Sequence, residues 1–143
     1  MTPVRIIALI TLCWLWYGVA AQADEPTSAA PDPRRLSWVL PIHSSQLSPG
    51  PVTRRVLDMP GMTSLFLVGQ DPLSLQWLTE HAPALQALGA SGLAVEVTDI
   101  DALQHIQATA PELPIWPVSG DDIAARLQLE HYPVLITPTA LEQ

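Results

Sequence analysis

Between Ser64 and Thr137 short apolar runs alternate with stretches in which apolar residues return every three or four positions. "SLFLVG" (Ser64 to Gly69) has the length of a buried strand and stops at a glycine. Asp71-Pro72 then supplies a helix cap followed by proline at the first helical position. Leu75, Leu78, Ala82, Leu85 and Leu88 recur at helical spacing, and Gly89 marks the end. Pro83 lies inside that pattern and predicts a bend or two short helices, because an interior proline removes a backbone hydrogen bond. "GLAVEV" (Gly92 to Val97) predicts a second strand. Thr98 or Asp99 caps a helix running to Ala110, with Leu103, Ile106 and Ala110 inward. "ELPIWPV" carries two prolines, so its strand is short or at an edge. Ser119-Gly120-Asp121-Asp122 has the S-x-x-D capping form, ahead of a helix with Ile123, Ala124, Leu127 and Leu129 inward. "PVLIT" is the last strand. The order β-α-β-α-(β)-α-β predicts a small α/β layer domain over 62–143, with a short central sheet and at least one parallel crossover. Residues 37–61, broken by Pro41, Ser48-Pro49-Gly50-Pro51 and Pro60-Gly61, predict an irregular or edge-strand segment.

The N-terminus changes the picture of where this domain works. Arg5 precedes an apolar run from Ile6 to Val19, and Ala21-Gln22-Ala23 forms an A-x-A cleavage site ahead of Asp24. Residues 1–23 therefore predict a signal peptide cleaved between Ala23 and Asp24, with a periplasmic product. An uncleaved anchor is the alternative, although a bilayer span needs about 20 apolar residues. Cys13, the single cysteine, leaves with the signal, and the bulky Leu12 before it argues against lipidation. The exported chain then has neither a disulfide nor a thiol with which to do redox chemistry. Residues 24–36, rich in proline and alanine, predict a flexible leader.

Charge and scattered polar residues narrow the chemistry. The formal net charge is −8, and the six basic residues are all arginine. Such a surface repels phosphate backbones, which argues against direct nucleic-acid binding. Asp99 and Asp101 follow a strand, where acidic residues sometimes hold Mg²⁺, but helix capping accounts for Asp99 with less. Asp121 and Asp122 suit a helix dipole. His43, His81, His105 and His131 have no zinc-ligand spacing, so neither a metal nor a cofactor is expected. Asp71, Ser74, Asp99 and His131 are the set a hydrolase or metal-dependent enzyme would use, but no strained G-x-S-x-G elbow activates the serine. Among the tryptophans Trp77 fits core packing, while Trp116 between prolines is the candidate for a surface anchor.

Two resemblances sharpen this reading. "DDIAARLQLEHYPVLIT" (Asp121 to Thr137) looks like the helix and X-Pro strand of a thioredoxin-like domain, with Pro133 at the position that is usually cis. "GQDPLS" (Gly69 to Ser74) corresponds to the loop where that family keeps C-x-x-C, and it contains no thiol. The final hairpin strand and helix of that family are expected to be missing, since only ten residues follow Pro133. "LSPGPV", "FLVGQDPLSLQWL", "LGASGLAVEV", "PVSGDDIAARLQLEHYPVLIT" and the closing "LEQ" resemble the integrating conjugative element protein family of proteobacterial chromosomal islands. That resemblance implies an exported protein encoded among conjugation and type IV secretion genes, and it carries no catalytic residues over. The expectation is a non-enzymatic periplasmic component of a conjugative DNA-transfer apparatus, touching the membrane only through its signal. It would act by contact with other proteins of the transfer machinery. The expected contact face comprises Asp71, Pro72, Ser74, Trp116, His131, Tyr132 and Pro133.

Overall fold

The computed structural model describes residues 32–143. The signal peptide, the Ala21/Ala23/Asp24 cleavage site and most of the leader lie outside the described residues. Two 3-10 turns come first, Pro33–Arg35 and Ser37–Val39. The elements that follow are β1 (Ser48–Pro49), β2 (Arg55–Val56), β3 (Leu65–Gly69), α1 (Pro72–Ala87), β4 (Ser91–Glu96), α2 (Ile100–Thr109), β5 (Ile115–Pro117), α3 (Asp121–Leu127), β6 (His131–Tyr132), β7 (Val134–Ile136) and β8 (Ala140–Glu142).

Six strands form one mixed sheet in the order β2-β8-β7-β3-β4-β5. Strands β3, β4 and β5 are parallel, as crossovers through α1 and α2 require. Strand β7 returns antiparallel on the other side of β3, with Phe66 opposite Leu135. A separate two-stranded pair joins β1 to β6, Ser48 facing His131.

The alternation within β3 divides the core. Phe66 and Val68 face one side, where Trp77, Leu78 and Leu85 of α1 and Leu103 and Ile106 of α2 cover them. Leu67 faces the other side, with Val134, Ile136, Leu141 and Ala124 of α3. A strand buried on both faces reads as a continuous apolar run, and "LFLV" is one. Each fully buried Leu or Phe contributes roughly 1.5–3 kcal/mol. Phe66 needs the space that Gly92 leaves, since a β-carbon there would collide with its ring.

Several local expectations need correction. Helix α1 is one element through Pro83. Pro83 and Thr79, whose carbonyl loses its partner, both lie on the exposed side, where water serves that carbonyl. Leu88 follows the apolar spacing but caps the helix and is exposed, because the chain turns away at Gly89 with φ +63°. The Ser119–Asp122 box does not form. Gly120 is the N-cap of α3, and Asp122 reaches instead to Arg126 at 3.2 Å. The last strand is not "PVLIT" alone. Ala140–Glu142 adds the hairpin strand β8 that was expected to be missing, and β2 pairs beyond it, Arg55 with Leu141. Three residues suffice because Thr137 Oγ1 accepts from Ala140 N at 3.0 Å and closes the turn.

Within 37–61 the chain is an irregular strap whose β2 lies at the edge of the sheet. Ile42 bridges to Val97, Ser48 N donates to Glu130 O at 3.1 Å, and Leu57 N to Thr139 O at 2.9 Å. It thus runs from the carboxyl ends of the parallel strands round to β8. Both Leu40–Pro41 and Tyr132–Pro133 are cis. Among the described residues no helix is long and apolar enough to cross a membrane.

Candidate functional site

In open α/β sheets the crevice beyond the carboxyl ends of the strands is the usual place for a ligand. In this chain that end is formed by Gly69 of β3, Glu96 of β4, the loop before α1 and the Tyr132–Pro133 turn ahead of β7.

Asp71 opens α1 from extended backbone, and its Oδ2 accepts from Ser74 N at 3.0 Å. Ser74 Oγ donates to Asp71 Oδ1 at 2.7 Å and accepts from Gly69 N at 3.0 Å. The serine is completely buried. Its hydroxyl is committed in both directions, which fixes the loop and leaves no free nucleophile. Gln70 extends the network to the next strand, its Oε1 accepting from Thr98 N at 3.0 Å.

Tyr132 completes the corner. Its ring Cε2 and Cζ lie 2.5 and 3.1 Å from where a Gly69 β-carbon would sit, and Asp71 Oδ1 lies 2.9 Å from the same point. The Tyr132 ring and the Asp71 carboxylate therefore both border the space left by a glycine that has no side chain. Burial, then the negative charges of Asp71 and Glu96, push the phenol up to about 12. It is neutral at physiological pH.

Glu96 belongs to the same end of the sheet, and the strap holds it. His43 Nδ1 is 2.6 Å from Glu96 Oε1, and Ser44 N donates to Oε2 at 3.2 Å. Ser44 Oγ donates to Val95 O at 2.5 Å and accepts from Gly120 N at 2.8 Å, so one buried hydroxyl ties strap, β4 and α3 together. Asp121 accepts from Gln46 N at 2.9 Å and Ser45 N at 3.1 Å. The Gln46 N–H, opposed by desolvation and aided by the Ser45 and Ser119 bonds, holds that carboxyl below the usual aspartate range.

The residues of the expected contact face differ in exposure and position. Ser74, Tyr132 and Pro133 are buried, so none offers a broad surface to a partner. Asp71 is half-buried and Pro72 exposed, and these two stay at the rim. Trp116 is half-buried on β5, the strand at the far edge of the sheet. His131 points away from "GQDPLS". Neighbouring residues of a strand face opposite sides, so Tyr132 takes the place beside Gly69, and His131 Nδ1 lies 3.1 Å from Ser48 Oγ. Asp99 caps α2, accepting from Ala102 N at 2.8 Å. The four residues of the enzyme alternative thus separate into an Asp71–Ser74 pair, a helix cap and a histidine on another face. Among the described residues no three His, Cys, Asp or Glu side chains converge as metal ligands.

Sequence reasoning missed His43, Ser44 and Glu96. No motif marks them, because their association depends on a strap that crosses about fifty residues of chain. It placed Tyr132 in the X-Pro turn and on the contact face but not against Gly69, where "G" of "GQDPLS" was the available sign that something bulky sits beside β3.

The chain belongs to the family described as protein of unknown function DUF2859, whose model matches residues 18–141. Neither the curated proteins nor the solved structures gave a match.

Proposed function

We propose that this DUF2859 member is a docking module of a conjugative transfer apparatus, exported to the periplasm and acting by protein–protein contact on a thioredoxin-like scaffold without cysteines. The observation that carries the contact reading is the state of the "GQDPLS" loop. Where a thioredoxin-like domain would hold its reactive pair, Asp71 and Ser74 are locked to each other and to Gly69 N. The loop is built to keep a shape.

The scaffold reading rests on topology. Strand β3 leads through that loop into α1 and the parallel β4, and β7 after the Tyr132–Pro133 turn lies antiparallel beside β3, followed by β8. One departure is clear, since the neighbour of β4 is β5, which follows it in sequence. The link to conjugation rests on the resemblance of the quoted sequence blocks.

Deleting the gene in a cell carrying the whole element, and measuring transfer frequency, tests the role. Transfer should fall and return with the gene supplied in trans. Undiminished transfer from the deletion strain would refute it.

A further inference from the structure

We infer that the apolar groove between α3 and the Met59–Met62 turn binds a medium-chain alkyl carboxylate, a free fatty acid, with its tail inside and its head group on Arg126. The groove lies on the α3 face of the sheet, at the opposite end of β3 from Gly69. The site thus stands apart from the docking reading.

The turn builds one side of the groove. Met59-Pro60-Gly61-Met62 has proline second and glycine third, the type II order, and Gly61 takes φ +83°. Met62 N donates to Met59 O at 3.2 Å, which closes the turn and sets the two methionines at its ends. Met59 N donates to Pro138 O at 2.9 Å, so the turn is fixed to the connection between β7 and β8. Leu65 and Ile136, partners across β3 and β7, line the sheet side. Ile123 and Leu127, one helical turn apart on α3, line the other, and the groove has a volume of about 330 Å³.

The first observation that points to a ligand is the make-up of these walls. Six of the seven lining residues are apolar, and five of those six are only half-buried although they converge from turn, sheet and helix. Concave apolar surface with one polar group is the usual form of a small-molecule site. Met59 and Met62 are the chain's only methionines besides Met1. Methionine adapts its shape to a flexible apolar guest, and both stand here.

The second observation is the one charge. Arg126 is the only charged residue lining the groove. Its partner Asp122 lies 3.2 Å away, and the two side chains are 76 % and 80 % exposed. An ion pair so open to water is weak. The guanidinium can therefore turn to a carboxylate at the rim with two N–H donors, while its stem stays on apolar surface.

These features select the guest. An alkyl carboxylate places one anion against Arg126 and asks nothing polar of the walls. A polypeptide laid in the groove would bring backbone N–H and C=O groups to walls whose side chains offer no partner apart from that guanidinium. At the ~150 Å³ that holds one six-carbon benzene ring, this volume takes a tail of roughly a dozen carbons. The formal net charge of −8 repels the head group from a distance. Affinity therefore resides in tail burial, and Arg126 decides between head groups.

The test labels the full chain with ¹³C-methyl methionine, assigns the signals through Met59→Leu and Met62→Leu, and titrates n-alkyl carboxylates below their micelle concentrations. Dodecanoate should shift the Met59 and Met62 methyls together. From about six carbons to about twelve, each methylene should tighten binding about fourfold, and beyond about fourteen the gain should stop because the groove is full. Dodecanol should bind up to about fivefold more weakly than dodecanoate. Arg126→Gln changes an exposed side chain, and it should abolish that preference while leaving the dodecanol affinity unchanged. Silence at both methyls, affinity that climbs on past about fourteen carbons, no carboxylate preference, or a preference that survives Arg126→Gln would overturn the inference. So would phosphatidylglycerol vesicles that move the same two methyls, since the tail would then belong to a membrane lipid.

Discussion

The ring of Tyr132 occupies the space that a side chain on Gly69 would need, with Cε2 2.5 Å from the β-carbon position. One residue is small so that the other can be buried, and the ring borders the same space as the Asp71 carboxylate at the carboxyl end of β3. Gly69→Ala should therefore destabilise the fold by about 1–3 kcal/mol, the usual cost of overpacking. In a double-mutant cycle with Tyr132→Ala, urea unfolding should show costs that fall clearly short of additive. Additive losses would mean that the two positions do not compete for space.

Tyr132 should also resist ionisation. The absorbance of phenolate at 295 nm, read as the difference between wild type and Tyr132→Phe, should rise only near pH 12. The sign for stability follows from the raised folded-state value. An unfolded tyrosine titrates near 10, so the contribution of the neutral, buried phenol is complete below pH 10 and declines as pH climbs from about 10 to about 12. Tyr132→Phe should flatten that part of the stability profile.

The cap on α1 gives a graded test. Asp71→Ala removes the acceptor for Ser74 N and for Ser74 Oγ, and should cost about 0.5–2 kcal/mol in chemical denaturation. Asp71→Asn retains a capping oxygen and should lose only a few tenths. Equal losses would show that charge, rather than the cap, matters for folding.

Ser44 should behave as a structural residue although it lies in an otherwise irregular strap. Ser44→Ala leaves Val95 O and Gly120 N without their partner inside the protein, and each buried orphan costs about 1–3 kcal/mol. Hydrogen exchange should quicken at Gly120 and along His43 to Leu47, while β3 and α1 stay protected. A uniform loss of protection would instead place the strap in the global folding unit.

Acidification should loosen the same strap by a second route. The Asp121 carboxyl is held below its ordinary value of 3.8 by the Gln46 and Ser45 bonds. Its contribution is complete above that value and is lost as pH falls through the lower folded-state value. Exchange at Ser45 and Gln46 amides should accelerate there, and Asp121→Asn should remove the pH dependence.

Local pattern went a long way in this chain. "LFLV", the three- and four-residue spacing after Pro72, and the alternation of "GLAVEV" place β3, α1 and β4, because burial on a strand or helix imposes a period that a sequence displays directly. Asp71-Pro72 and Asp99 were legible as caps for the same reason: a cap bonds to a backbone N–H within three residues. Tertiary structure decided what has no local period. Strand β8 is three residues long and exists because β7 and β2 give it partners on both sides. Leu88 fits the apolar spacing yet is exposed, since the chain leaves the sheet at Gly89. Ser119 and Asp122 have the capping spacing, but Asp121 and Gly120 were drawn to the strap by residues about 75 positions away. The same holds for the corner at β3. The sequence determined that a proline-directed strand would return beside "GQDPLS". Only the packing of β6 and β7 decided that Tyr132, and not His131, would point there, because a one-residue shift in a strand sends a side chain to the opposite face.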